Sequence, residues 1–271
     1  MSKFKYFKNV TNNSADFYLY GDIVDDSTDW WTREKDPFLF DPNDLKAELD
    51  QLQGINELNI YINSGGGSVF ASSTMVSLLR RFREQNNATL NAYVDGLCAS
   101  ASTYLLMVAD NLNVYDNSIV MIHKPMTWSF GNADDLRKDI DLLETIEDDL
   151  MIPMYVSKAT VSEEEIKRLI AEETWFTGNP DSELYIGNYF NIKHIEESKQ
   201  AVACSSLLLN KYNNTPESLQ NDVEHKTVED KKVKDNLAGV KKPIDKKPEQ
   251  SKKADNSLYN QRLTILNLRE V

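Results

Sequence analysis

The chain has 271 residues, 41% of them hydrophobic, with a formal net charge of −13, which is enough apolar material for one sizeable core. No stretch approaches the roughly 20 apolar residues of a membrane span, and the start, Met-Ser-Lys-Phe-Lys-Tyr-Phe-Lys, lacks the long apolar region of a signal peptide. Residues 1–210 hold 17 Lys+Arg against 33 Asp+Glu, so this acidic part argues against a general nucleic-acid binder.

In chain order, Asp16 to Ile23 carries the aromatic and β-branched signature of a strand bounded at Gly21. Asp25 to Phe40 is polar but contains Trp30 and Trp31, which fit either a contact surface or rings tucked against the core. Leu45, Leu49 and Leu52 predict a helix starting near Pro42, where proline is tolerated. Leu58 to Ile62 reads as a strand. Gly65, Gly66 and Gly67 follow, and Val69 to Phe82 then predicts a well-buried helix with arginines near its end. Leu90 to Val94 reads as a buried strand broken at Gly96. Small residues from Cys98 to Ser102 come next, then a helical run from Thr103 to Ala109 and a strand from Ser118 to Ile122. This alternation implies βαβ units and a largely parallel α/β sheet. It could suit a dinucleotide, but no G-x-G-x-x-G is present.

Asp134 to Ala159 is the longest helical pattern, with Leu136, Ile140, Leu143, Ile146 and Leu150 in one stripe and a kink expected at Pro153. Ser162 and Glu165 predict a capping box opening a helix through Ile170, and Trp175 with Phe176 reads as a short strand. From about Asn210 the composition turns to Asn, Lys, Asp, Glu, Pro and Ser, which cannot build a core. Residues 1–200 are expected to form the domain and 201–271 a disordered, charged tail. The last residues, from Leu258, regain apolar character, as a docking segment or an incidental turn.

The segment from Asn91 to Pro125 carries the chemistry. Ser100 sits where a strand turns into a helix, so free N–H groups and the helix dipole favour developing negative charge. His123, the only histidine in the first 193 residues, ends a strand-like run and could act as the base a serine needs. The same small residues would equally serve packing, and a histidine after an apolar strand is often a satisfied polar group. Spacing alone leaves both readings open. Cys98 offers a rival thiol nucleophile. Cys98 and Cys204 are expected to be reduced, and no metal-ligand spacing occurs.

Six ordered stretches carry a resemblance: YLYGDI (Tyr18 to Ile23), YINSGGGSVFA (Tyr61 to Ala71), VDGLCASAS (Val94 to Ser102), MIHKP (Met121 to Pro125), GNADDLRK (Gly131 to Lys138) and ETWFTG (Glu173 to Gly178). They make the chain resemble the proteolytic subunit of Clp protease, most closely its phage-encoded relatives that act in head maturation. The resemblance implies the ClpP/crotonase-like fold of repeated ββα units with a protruding handle helix at Asp134 to Ala159. It implies a serine endopeptidase with Ser100 as nucleophile, His123 as general base, Glu173 in the place of the family's usual aspartate, and backbone N–H groups of Gly67 and Ala101 as oxyanion hole. A one-residue slip would select Glu172 or Thr174 instead of Glu173, and Asp181 is a nearby alternative.

No cofactor or metal is implied. Homo-oligomeric stacked rings, heptameric in the family, are expected in the cytoplasm, with capsid proteins or a Clp ATPase as partners and neither nucleic acid nor membrane. An ATPase would have to be separate, since no G-x-x-x-x-G-K-S/T loop is present. After Gly178 the sequence departs from the family's pattern, and Thr177 to Gly187 is about two residues longer than expected. The rival functions are a crotonase-type acyl-CoA enzyme on the same fold and a non-catalytic capsid scaffold. A signal-peptide peptidase, which pairs serine with lysine, fits less well than the matches at His123 and Glu173.

Overall fold

The computed structural model describes residues 4–29, 32–196, Tyr212 and Asn214. Trp30, Trp31, Cys204 and the rest of the expected tail lie outside the described residues. A short edge strand, β1 (Phe7–Lys8), leads into β2 (Ser14–Tyr20), whose burial alternates because one face meets the core. Beyond Gly21, β3 (Asp22–Ile23) pairs in parallel with β4 (Leu39–Phe40) as a separate two-stranded sheet. Helix α1 (Pro42–Leu49) starts on Asp41, whose carboxylate accepts the amides of Asn43 and Asp44.

Strand β5 (Glu57–Ser64), helix α2 (Val69–Asn86), strand β6 (Thr89–Ala99), helix α3 (Thr103–Met107), strand β7 (Asn111–Tyr115) and strand β8 (Ile119–Ile122) follow. Helices α4 (Ala133–Thr145), α5 (Ile152–Val156) and α6 (Glu163–Ala171) precede strands β9 (Thr174–Thr177) and β10 (Lys193–Ile195).

The main sheet runs β1-β2-β5-β6-β7-β10, parallel throughout except at the β1 edge. β8 adds in parallel to the far end of β6, and β9 lies antiparallel on β8. Register across the centre is marked by Tyr18, Tyr61 and Tyr93, which are cross-strand partners with rings stacked at 4.8 and 5.0 Å. Leu58, Ile60, Leu90, Ala92 and Val114 are fully buried in the main core, as strands covered by helices must be. This is the mixed α/β architecture the resemblance implied. Among the described residues no helix is long and apolar enough to cross a membrane.

Three expectations change. Gly96 does not break the strand after Val94, because β6 continues to Ala99. It lies where β6 exchanges neighbours: Asn91 to Val94 pair with β7, and Leu97 to Ala99 pair with β8. A residue without a side chain accommodates that change of course.

The expected helix from Asp134 to Ala159 is interrupted by a π-helical turn over Ile146–Met151, between α4 and α5. Pro153, which cannot donate a helical hydrogen bond, then falls in the first turn of α5. No residue of α4 is buried. The capping box lies at its start, between Asn132 and Asp135, whereas at the start of α6 the Ser162 hydroxyl accepts the Glu165 amide.

The region after Gly178 closes with a 3-10 turn at Ile186–Asn188 and with β10 pairing to β7. Strands β1, β4, β7 and β10 had no counterpart among the sequence expectations.

Candidate active site

Strand register brings the candidate residues together at the C-terminal ends of the parallel strands. Ala99 pairs with Met121, so Ser100 and His123 leave neighbouring strands β6 and β8 side by side. Ile122 pairs with Thr174 across the antiparallel β8–β9 ladder, so Glu173, just before β9, falls beside His123. The Oγ of Ser100 lies 2.7 Å from Nε2 of His123. Ser100 is partly exposed, whereas His123 and Glu173 are buried.

Ser100 has φ 54°, a left-handed conformation that β6 reaches in turning into a 3-10 turn (Ser100–Ser102) and then α3. Hydroxyl donors pin this turn. Thr103 donates to the Ser100 carbonyl at 2.5 Å, Ser72 to that of Ala101 at 2.6 Å, and Ser102 to that of Ala99 at 2.8 Å. The hydroxyls of Thr103 and buried Tyr155 share a 2.6 Å hydrogen bond. Sequence spacing gave no sign of these supports, because serine and threonine hydroxyls announce neither partner nor direction.

Gly66 and Gly67 both have positive φ, 97° and 140°. A Cβ on Gly67 would meet the Ile23 carbonyl oxygen at 2.0 Å, which only glycine avoids. The parallel bridge between Ile23 and Gly67 uses the Gly66 carbonyl and the Ser68 amide. Such a bridge turns Gly67's own N–H away from Ile23. Gly66 meanwhile packs directly against Ser100 and Ala101.

Burial lowers the pKa of His123 below the ordinary histidine value, and the charge of Glu173 offsets part of that shift. Glu173, with φ 51°, accepts from the indole N–H of Trp175 at 3.3 Å and the backbone N–H of Asn214 at 2.5 Å. The alternatives lie elsewhere. Glu172 pairs with Arg168 on the surface, Asp181 is exposed, and the hydroxyl of Thr174 donates to the Leu169 carbonyl. Cys98 is wholly buried, and burial pushes its thiol up to about 12, which removes it as a thiolate nucleophile. Tyr212 and Asn214, which the sequence assigned to the tail, contact His123 and Glu173 respectively.

An open parallel sheet with a serine–histidine contact beyond its strand ends defines the class: an α/β protein that presents a serine–histidine pair at the ends of its strands. A family model described as Clp protease matches residues 45–183, just over half of the sequence. The chain belongs to the Clp protease family. It is similar to proteins named ATP-dependent Clp protease proteolytic subunit, two from strains of Bacteroides fragilis and one from Bacteroides thetaiotaomicron. Each is 33% identical over 99 residues, covering 35% of this chain and 46%, 43% and 43% of the respective relatives. The chain thus spans less than half the length of these curated relatives.

Proposed function

We propose that the chain is a serine endopeptidase with Ser100 as nucleophile, His123 as general base and Glu173 as the orienting carboxylate. The observation that carries this reading is the 2.7 Å contact between Ser100 Oγ and His123 Nε2 at a strand-to-helix turn. In the reaction, His123 takes the Ser100 proton as Oγ attacks the scissile carbonyl carbon. Carbonyl π electrons move to oxygen, and the N–H groups of Gly67 and Ala101 receive the resulting oxyanion, worth roughly 3–4 kcal/mol per donor. Collapse expels the amine, which takes the proton from His123 and leaves an acyl-serine. Water then attacks that ester, with His123 again holding the proton. Depression of the His123 pKa keeps the imidazole neutral, and therefore basic, near pH 7.

The protein works in this reading as a cytoplasmic homo-oligomer of stacked rings, heptameric by resemblance, with α4 as the element between rings. A phage head-maturation role makes capsid proteins the substrates. Processive degradation would instead require a separate Clp ATPase.

The test is incubation of purified protein with a fluorophosphonate probe and, separately, with casein. Stoichiometric modification of Ser100 together with casein cleavage is expected. A protein unmodified at Ser100 that turns over acyl-CoA would establish the crotonase-type alternative, and one inert to all three would establish a scaffold.

A further inference from the structure

We infer that Tyr212 and Asn214 are positioning residues of the catalytic centre, Tyr212 clamping the His123 ring and Asn214 holding Glu173 through its backbone N–H. The inference rests on the Ser100–His123–Glu173 reading and extends it to two residues far along the chain. The Tyr212 ring packs edge-to-face on His123 at 5.0 Å and on Trp175 at 6.0 Å. Its hydroxyl donates to the Gly65 carbonyl at 2.5 Å. One side chain therefore touches the glycine loop, the base and the strand that follows the acid.

Asn214 makes a two-point contact two residues further on. Its backbone N–H donates to Oε1 of Glu173, and its side-chain amide donates to the Glu172 carbonyl at 3.0 Å. A carboxylate held by two fixed donors, Trp175 and Asn214, loses little entropy when it must face an imidazolium.

The face that Tyr212 occupies decides between support and obstruction. Leu97, Ala99, Met121 and Trp175 point alternately from β6, β8 and β9 to one side of the sheet, and Tyr212 completes this small cluster. Their strand neighbours Cys98, Val120, Ile122 and Phe176 point into the main core. Tyr212 thus covers the His123 side of the centre, while Ser100 stays partly exposed.

The experiment compares peptide hydrolysis by the full chain with that of Tyr212→Ala, Tyr212→Phe, Asn214→Pro and Asn214→Ala. Thermal melting first establishes that each variant is folded. Tyr212→Ala is expected to lower kcat about 10- to 100-fold with little change in KM, as for a displaced base. Tyr212→Phe, which keeps the ring, should recover most of that loss. Asn214→Pro, which deletes the N–H, should fall well below Asn214→Ala, which keeps it. Unchanged kcat in both Tyr212→Ala and Asn214→Pro overturns the inference. So does an increase in kcat, which would mark the segment as a plug.

The failure of the underlying peptidase reading is separable. A wild-type chain that neither cleaves peptide nor takes fluorophosphonate at Ser100 refutes that reading. The proton resonances of His123 then decide the clamp. Loss of the Tyr212 ring should shift them and raise the His123 pKa, with Glu173 the charged group facing it. Resonances and pKa that stay put overturn the clamp.

Discussion

A Cβ placed on Gly66 would lie 2.8 Å from the Cβ of Ser100, closer than two such atoms are found. The same atom would meet the Ala99 carbonyl oxygen at 2.6 Å and the Ala101 nitrogen at 2.9 Å. Gly66→Ala must therefore push the nucleophile's turn away or distort the glycine loop. Peptidase activity is expected to fall about 100-fold or more, in keeping with the cost of a 1 Å misplacement. Urea denaturation should show a loss of roughly 1–3 kcal/mol from overpacking at a positive-φ site. Wild-type kinetics in a folded Gly66→Ala protein would contradict this placement.

Ser100→Ala removes one hydroxyl from a turn held by Thr103, Ser72 and Ser102, none of which uses Ser100 Oγ. Fluorophosphonate labelling and peptide cleavage should vanish while the melting profile and oligomer size stay as they were. Residual turnover in protein free of contaminating protease would place the nucleophile elsewhere.

Burial sets Glu173 apart from the two nearby carboxylates. Glu173→Gln should keep the fold and cut kcat by about 10²–10⁴, as expected when an orienting carboxylate is lost. Glu172→Gln and Asp181→Asn change exposed groups and should leave kinetics near wild type. A crippled Glu172→Gln would show the acid to be one residue earlier.

The pH profile has a defined sign. Burial favours neutral His123, so protonation in the folded protein requires a lower pH than for a free imidazole. The acid limb of kcat/KM is expected to have its midpoint below the ordinary histidine value of about 6.5. Glu173→Gln should move that midpoint lower still, because it removes the charge that favours imidazolium. A midpoint at or above the ordinary value would mean that Glu173 outweighs burial.

Helix α4 exposes Leu136, Ile140 and Leu142 and buries no residue. A helix of this length alone in water is marginal, and in the ring assembly proposed above its apolar side packs on a second copy of the chain. Leu136→Glu combined with Ile140→Glu should reduce the mass seen by native mass spectrometry and leave the core's melting intact. A variant that still assembles to the wild-type mass would relieve α4 of that role.

Much of this architecture is legible in the sequence because apolar runs and helical stripes alternate clearly from Asp16 to Phe176. Gly96 misleads because glycine reads as punctuation, whereas here it lets one strand serve two neighbours in turn. β7 alternates Asn111, Leu112, Asn113 and Val114, and its polar half hides a strand whose Asn113 side chain donates to the Ala92 carbonyl. The π-turn is invisible to periodicity, since the stripe from Leu136 to Leu150 runs through it. Ser100 and His123 stand out by residue type and position, and Glu173 follows from the resemblance. Tyr212 does not stand out, because only the folded path of the chain carries it from a polar stretch to the base.

Ser100 and Glu173 share left-handed backbone angles, 54° and 51°, in places where glycine or asparagine would rest more easily. Stability and chemistry therefore pull in opposite directions at both positions. A descendant of this chain that kept its assembly but no longer needed the reaction would relieve about 1 kcal/mol of left-handed backbone strain with glycine at either one. Genetic drift toward Gly or Asn at these two positions would thus be the signature by which an abandoned catalyst could be told from a working one, before any assay is run.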